Sequence, residues 1–152
     1  MRNGQYRQFA LTLLASFVLM YAIMFLNVKE IGHVYINITR LYMTLMMTSA
    51  MALLMLTLMS DMYQNKRKNT WLIASSITVF VFAFIGVHKQ VGVSDIQYMK
   101  GMIPHHSIAI MTSKNAHITD PRVRQLANDI IDAQEREITE MRALIDSLKQ
   151  NR

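Results

Sequence analysis

The chain has 152 residues, of which 52% are apolar and only 17% charged, and it contains no cysteine. An ordinary soluble domain carries about 25% charged residues, so the composition argues against a water-soluble globule, and the missing cysteine excludes disulfides, thiolate metal sites and thiol nucleophiles. The net charge of +6 is not a nucleic-acid signature, because residues 1–88 hold 7 Lys/Arg against 2 Asp/Glu while residues 89–152 hold 9 against 8; the excess flanks apolar segments, where it sets topology.

Three uncharged apolar runs come first, at about residues 9–26, 41–59 and 71–87. Crossing a hydrocarbon core of about 30 Å takes roughly 20 helical residues at 1.5 Å each. Inside lipid every backbone polar group needs an internal partner, so each run is expected to be a helix. Tyr6, Tyr42, Tyr63 and Trp71 stand at the ends, where interfacial rings belong. The first run is long for a signal-peptide core, and no small-x-small site precedes Lys29-Glu30, so a retained signal-anchor is expected. The second run carries Met43, Met46, Met47, Met51, Met55 and Met59, with Met62 just beyond. The stripe could pass a soft cation along a bundle interior, but no charge accompanies it, so packing, for which flexible thioethers are suited, is the expected role.

Orientation follows from Lys and Arg in the short loops. Arg2 and Arg7 precede the first run, and Lys66, Arg67 and Lys68 lie between the second and third, whereas the first loop has only Lys29 and Arg40. The bias predicts a cytoplasmic N-terminus and an extracytoplasmic C-terminal region. The expected organisation is a three-helix membrane anchor over 1–88 and a helical domain over 89–152.

The C-terminal region predicts two helices. Ser94 caps a helix beginning at Asp95 and running to about Asn115, with Pro104 inside it. Asp120-Pro121 marks a second start. From there Leu126, Ile130, Ile131, Ile138, Met141, Leu144, Ile145 and Leu148 recur mostly at steps of three or four, the period of an amphipathic helix. The fold class is therefore all-α, three transmembrane helices followed by a helical hairpin. A 64-residue hairpin leaves apolar stripes uncovered, so association of two copies into a four-helix bundle is expected.

At 100° per residue, Met99, Met102 and His106 share one helical face. Thioether sulfur and imidazole nitrogen suit soft Cu(I), and by extension Ag(I). Adjacent residues point in different directions, so spacing alone leaves His105 outside this site. With a turn near residue 118, Met102 would face Gln134 and Met99 would face Glu137. The alternative from spacing is a packed bundle with partly exposed histidines. His33, alone in the first loop, is expected to be solvated. Enzyme signatures are missing: no phosphate-binding glycine loop, no G-x-S-x-G, no H-E-x-x-H, and not the two helical Glu-x-x-His motifs that a di-iron site needs.

Residues 95–145, about one third of the chain, resemble the bacterial domain-of-unknown-function 305 family. The matching elements are Met102 to His106 (Met-Ile-Pro-His-His), Ala109-Ile110-Met111, Asp120-Pro121, Leu126-Ala127, Ile130-Ile131, Gln134, Glu137-Ile138 and Met141. After Met141, where the family commonly has an aromatic residue, this sequence has Leu144-Ile145. The resemblance implies a ferritin-like helical domain, exported or membrane-anchored, associated with copper or silver binding and resistance. It implies Met102, His105, His106, Met111 and Met141 as ligands, beside Met99 from spacing. The expected protein is a non-catalytic, multi-pass, homo-oligomeric protein of the bacterial inner membrane with a periplasmic metal-binding domain. Its partners are a metal ion and lipid, not nucleic acid. The competing expectation is a structural or oligomerisation membrane protein with no metal role.

Overall fold

The structure, a computed structural model, describes the backbone of residues 2–150. Five helices follow in order: α1 (Arg2–Ile23), α2 (Ile38–Leu58), α3 (Lys66–Lys89), α4 (Asp95–Asn115) and α5 (Pro121–Gln150), with a short 3-10 turn over Ile31–His33. No strand occurs among the described residues. Gly4–Ile23, Ile38–Leu58 and Lys66–Lys89 are long and apolar enough to cross a membrane. The helices do not coincide with the apolar runs. The first begins earlier and stops at Ile23, three residues before its run does, because the chain turns at 24–26 ahead of Lys29.

The chain divides into two compact units, residues 1–23 with 39–92, and residues 24–38 with 93–152. In the first, a small core of Phe9, Ala52, Leu56 and Tyr63 gathers at one end. There the Tyr6 hydroxyl donates to Asn69 Oδ1 at 2.8 Å and accepts from the Asn65 backbone N–H at 3.1 Å. Phe9 meets the Tyr63 ring edge to face at 5.3 Å. These contacts tie the start of α1 to the α2–α3 loop. Towards the other end, Gly86 lets α2 approach α3, since a Cβ there would lie 2.9 Å from the Tyr42 ring. The Tyr42 hydroxyl donates to the Val91 carbonyl at 3.0 Å.

In the second unit α4 and α5 pack against one another around Met99, Ile103, Ile110, Ile138 and Ile145. Ser94 caps α4 by accepting from the Gln97 N–H, and Asp120 accepts from the Arg122 N–H at the start of α5. Both starts lie where the capping residues predict them. Pro104 is fully buried within a continuous α4.

Candidate functional site

The sequence-derived ligands, on α4 except for Met141 of α5, fall into two groups. Met99 is buried in the core, Met141 packs against that core, and both line a shallow groove with Tyr98, Leu144 and Leu148. His105 and His106 lie six and seven residues further on; from Met99 to His106 is about 10 Å of helix. The two imidazole rings are 6.1 Å apart and steeply inclined. His105 is exposed and His106 mostly buried. Met102, one turn before His106, and Met111, beyond it, are both half-buried.

His106 Nδ1 lies 3.0 Å from Glu137 Oε2. The atom is buried, yet the approach lacks the alignment of a hydrogen bond, so the nitrogen has no hydrogen-bond partner. Burial pushes the His106 pKa down from its ordinary value, Glu137 opposes this, and His105 adds to the lowering. The neutral ring that results has a lone pair to offer, as a ligand must. Glu137 was expected opposite Met99; it faces His106 instead, and Met99 shares its groove with Met141, one turn further along α5. Among the described residues, no group of three or more His, Cys, Asp or Glu is placed to hold a metal ion. A site at His106 would therefore draw on thioethers as well.

The cluster that sequence reasoning missed centres on Ser107, which is fully buried. Its Oγ accepts from the Lys29 backbone N–H at 2.7 Å and lies 2.9 Å from His33 Nδ1. A hydroxyl oxygen can accept twice or accept once and donate once, so the direction of the Ser107–His33 bond is set by the imidazole tautomer, and His33 Nε2 lies 4.0 Å from Glu30. Burial, with Arg142 and then Lys29 nearby, lowers the His33 pKa, against the opposing pull of Glu30. His33 is thus buried, not solvated as expected, because residues 24–38 fold onto α4 and α5. Around it Arg142 donates to the Gly32 carbonyl at 2.8 Å, and Lys29 and Lys114 both reach Glu135 Oε1 at 3.0 Å. The serine, histidine and carboxylate resemble a hydrolytic triad in composition alone. Ser107 is sealed from solvent and engaged twice, so the cluster fastens the segment in place. No local signal links His33 to Ser107, which are 74 residues apart.

Residues 88–152 match the family described as "Domain of unknown function (DUF305)". Over 142 residues the chain is 37% identical to "Uncharacterized protein L153" of Acanthamoeba polyphaga mimivirus, a similarity covering 91% of each chain. That similarity therefore reaches well beyond residues 88–152 into the apolar helices. No solved structure matches the chain.

Proposed function

The chain belongs to the DUF305 family, and from that premise we propose that it is a membrane-anchored, non-catalytic protein that takes up a soft metal ion, Cu(I) or Ag(I), as cargo. The observation that carries this reading is His106, whose buried Nδ1 faces Glu137 without a hydrogen bond. An orphaned polar atom in such a place carries a desolvation cost that a bound cation would offset. Two donor groups are on offer, His105, His106, Met102 and Met111 along α4 and the thioether pair Met99 and Met141 about 10 Å away, and both favour a soft cation over a hard one. Glu137 would balance its charge. The role is sequestration or hand-over in the cell envelope.

Three crossings put the first loop and the C-terminal region on one side of the membrane. The packing of residues 24–38 with α4 and α5 supports this. The basic residues at 66–68 and the N-terminus favour the cytoplasm for the opposite side. A hairpin of α4 and α5 would complete a four-helix bundle by pairing with a second copy.

The full-length protein in detergent is titrated with Cu(I) against a competing chelator while thermal unfolding is followed. Binding to the native state must raise the midpoint. Substituting His105→Ala and His106→Ala together is expected to lower affinity by more than about tenfold while the fold persists. Equal affinity in the double variant would sink the assignment. The second reading, an interaction module without metal, draws on the exposed Tyr98, Leu126 and Leu144. It predicts no shift of the midpoint with Cu(I), and self-association that is lost when these side chains are made polar.

A further inference from the structure

Metal binding leaves one feature of the first unit unused. Beside the start of α1 and α3 a groove of about 740 Å³ opens, within the size range of small-molecule sites. Its wall is apolar, formed by Phe9, Ala10 and Leu13 of α1 and Leu72 of α3. Its mouth is cationic, with Arg67 and Lys68 from the first turn of α3 and Trp71 one turn on.

The direction of the groove is set by the helices. The hydrogen bond from Tyr6 to Asn69 brings the start of α1 level with the start of α3. From Tyr6 to Leu13 the helix advances about 10 Å. The groove therefore runs from a cationic, hydrogen-bonding rim to a wall without charge. Lys68 Nζ lies 5.1 Å from the centre of the Tyr6 ring, which holds its charge at the mouth. Lys66 and Arg7 add to the same end, and Asp61 is the sole acid in the α2–α3 connection.

We propose that this groove binds an anionic phospholipid, with its phosphate at Arg67 and Lys68 and an acyl chain along Phe9, Ala10, Leu13 and Leu72. The polarity of the groove matches that of the lipid from end to end. A zwitterionic lipid brings its own cation to a cationic rim. A phosphate without a chain gains nothing from the wall, and a neutral apolar molecule leaves the rim unanswered. Basic pockets between membrane helices take acidic head groups on these grounds, and tryptophan is enriched at the depth where head groups lie. The inference rests on the reading that α1, α2 and α3 cross a membrane.

The full-length protein is tested first by alkaline carbonate extraction of membranes. It is then examined in detergent by native mass spectrometry with equimolar phosphatidylglycerol and phosphatidylcholine of identical chains. Retention in the membrane is expected, with bound phosphatidylglycerol exceeding phosphatidylcholine by about tenfold. Arg67→Gln with Lys68→Gln should abolish the preference, and Arg136→Gln with Lys149→Gln, in the other unit, should keep it. Ala10→Phe, which fills the groove, should lower retention of both lipids. Glycerol 3-phosphate should displace neither. Release by carbonate would overturn the membrane reading and the lipid site together. Firm membrane retention with equal binding of the two lipids would overturn the lipid site alone. So would a preference that survives loss of Arg67 and Lys68, or displacement by glycerol 3-phosphate.

Discussion

In the first unit the helices turn large apolar side chains outward: Leu14 is 61% exposed, Leu58 80% and Phe82 58%. Along their middles the hydroxyls bond to the helix that carries them, Thr44 to the Arg40 carbonyl, Thr48 to that of Thr44, Ser49 to that of Leu45 and Thr78 to that of Ala74, and the long-range bonds of Tyr6 and Tyr42 lie at the helix ends. In the second unit the isoleucines turn inward, and polar groups reach across long stretches of chain, as Lys29 does to Ser107 and Arg142 to Gly32. The membrane crossing proposed for α1, α2 and α3 would account for the contrast. Where the medium offers no hydrogen-bond partner, the cheapest partner is the carbonyl one turn back. Where water competes, a buried long-range bond can be used to fasten one segment onto another.

The contrast is broken most severely at Ile103, which is fully buried between α4 and α5. Ile103→Ala should destabilise the second unit by about 2–5 kcal/mol, read as a lower midpoint of chemical unfolding. Leu58→Ala, the same kind of truncation on the outward face of α2, should leave unfolding in detergent nearly unchanged. Equal effects would mean that the two units do not differ in what they bury. Next in size is Ser107→Ala, which strips the Lys29 N–H and His33 Nδ1 of their shared partner inside the protein. It should cost about 1–3 kcal/mol, with faster amide hydrogen exchange concentrated in residues 29–34. Unchanged exchange there would show that Ser107 does not hold the segment.

These two positions also mark how far the sequence could be followed. The caps at Ser94 and Asp120 and the three apolar runs are local signals, each contained within one continuous segment, whereas Ile103 entered the sequence reading only as part of the Met102 to His106 stretch. Local signals fixed which segments are helical. The pairing of Lys29 and His33 with Ser107 has no such signal, since it depends on how residues 24–38 pack onto the middle of α4. The site shows the same division. Adjacent His105 and His106 are evident from sequence, whereas the placement of Glu137 beside His106 required the relation between α4 and α5. A turn assumed to centre on residue 118 put Glu137 opposite Met99 instead.

Acidity offers a smaller perturbation of the same fastening. The pKa of His33 is lowered in the folded chain by burial first, with Arg142 and Lys29 acting in the same sense and Glu30 against it. Between the folded value and the ordinary value of 6.5 the unfolded chain binds more protons at this position, so stability rises with pH across that window. Lowering the pH through 6.5 should therefore weaken the hold on residues 24–38. Hydrogen exchange of residues 29–34 should quicken on acidification beyond the intrinsic pH dependence, and His33→Gln should flatten that response. An unchanged response in His33→Gln would assign it to another group.

The smallest effect is expected at Glu135, and Lys29 makes the comparison internal to one residue. Lys29 is held twice, by its backbone N–H on buried Ser107 and by its ammonium on Glu135, which also receives Lys114. The two lysines hold the Glu135 carboxyl below its ordinary pKa, so it is ionised at neutral pH. Its side chain is nevertheless 46% exposed, and salt and water screen the pair. Glu135→Gln should cost only about 0.2–1 kcal/mol, and the difference should shrink as salt is added. Ser107→Ala should cost more and be indifferent to salt, because the bond it removes lies out of reach of ions. If instead Glu135→Gln proved the more damaging change, the segment would be held by charge at the surface and not by the buried hydrogen bonds around Ser107.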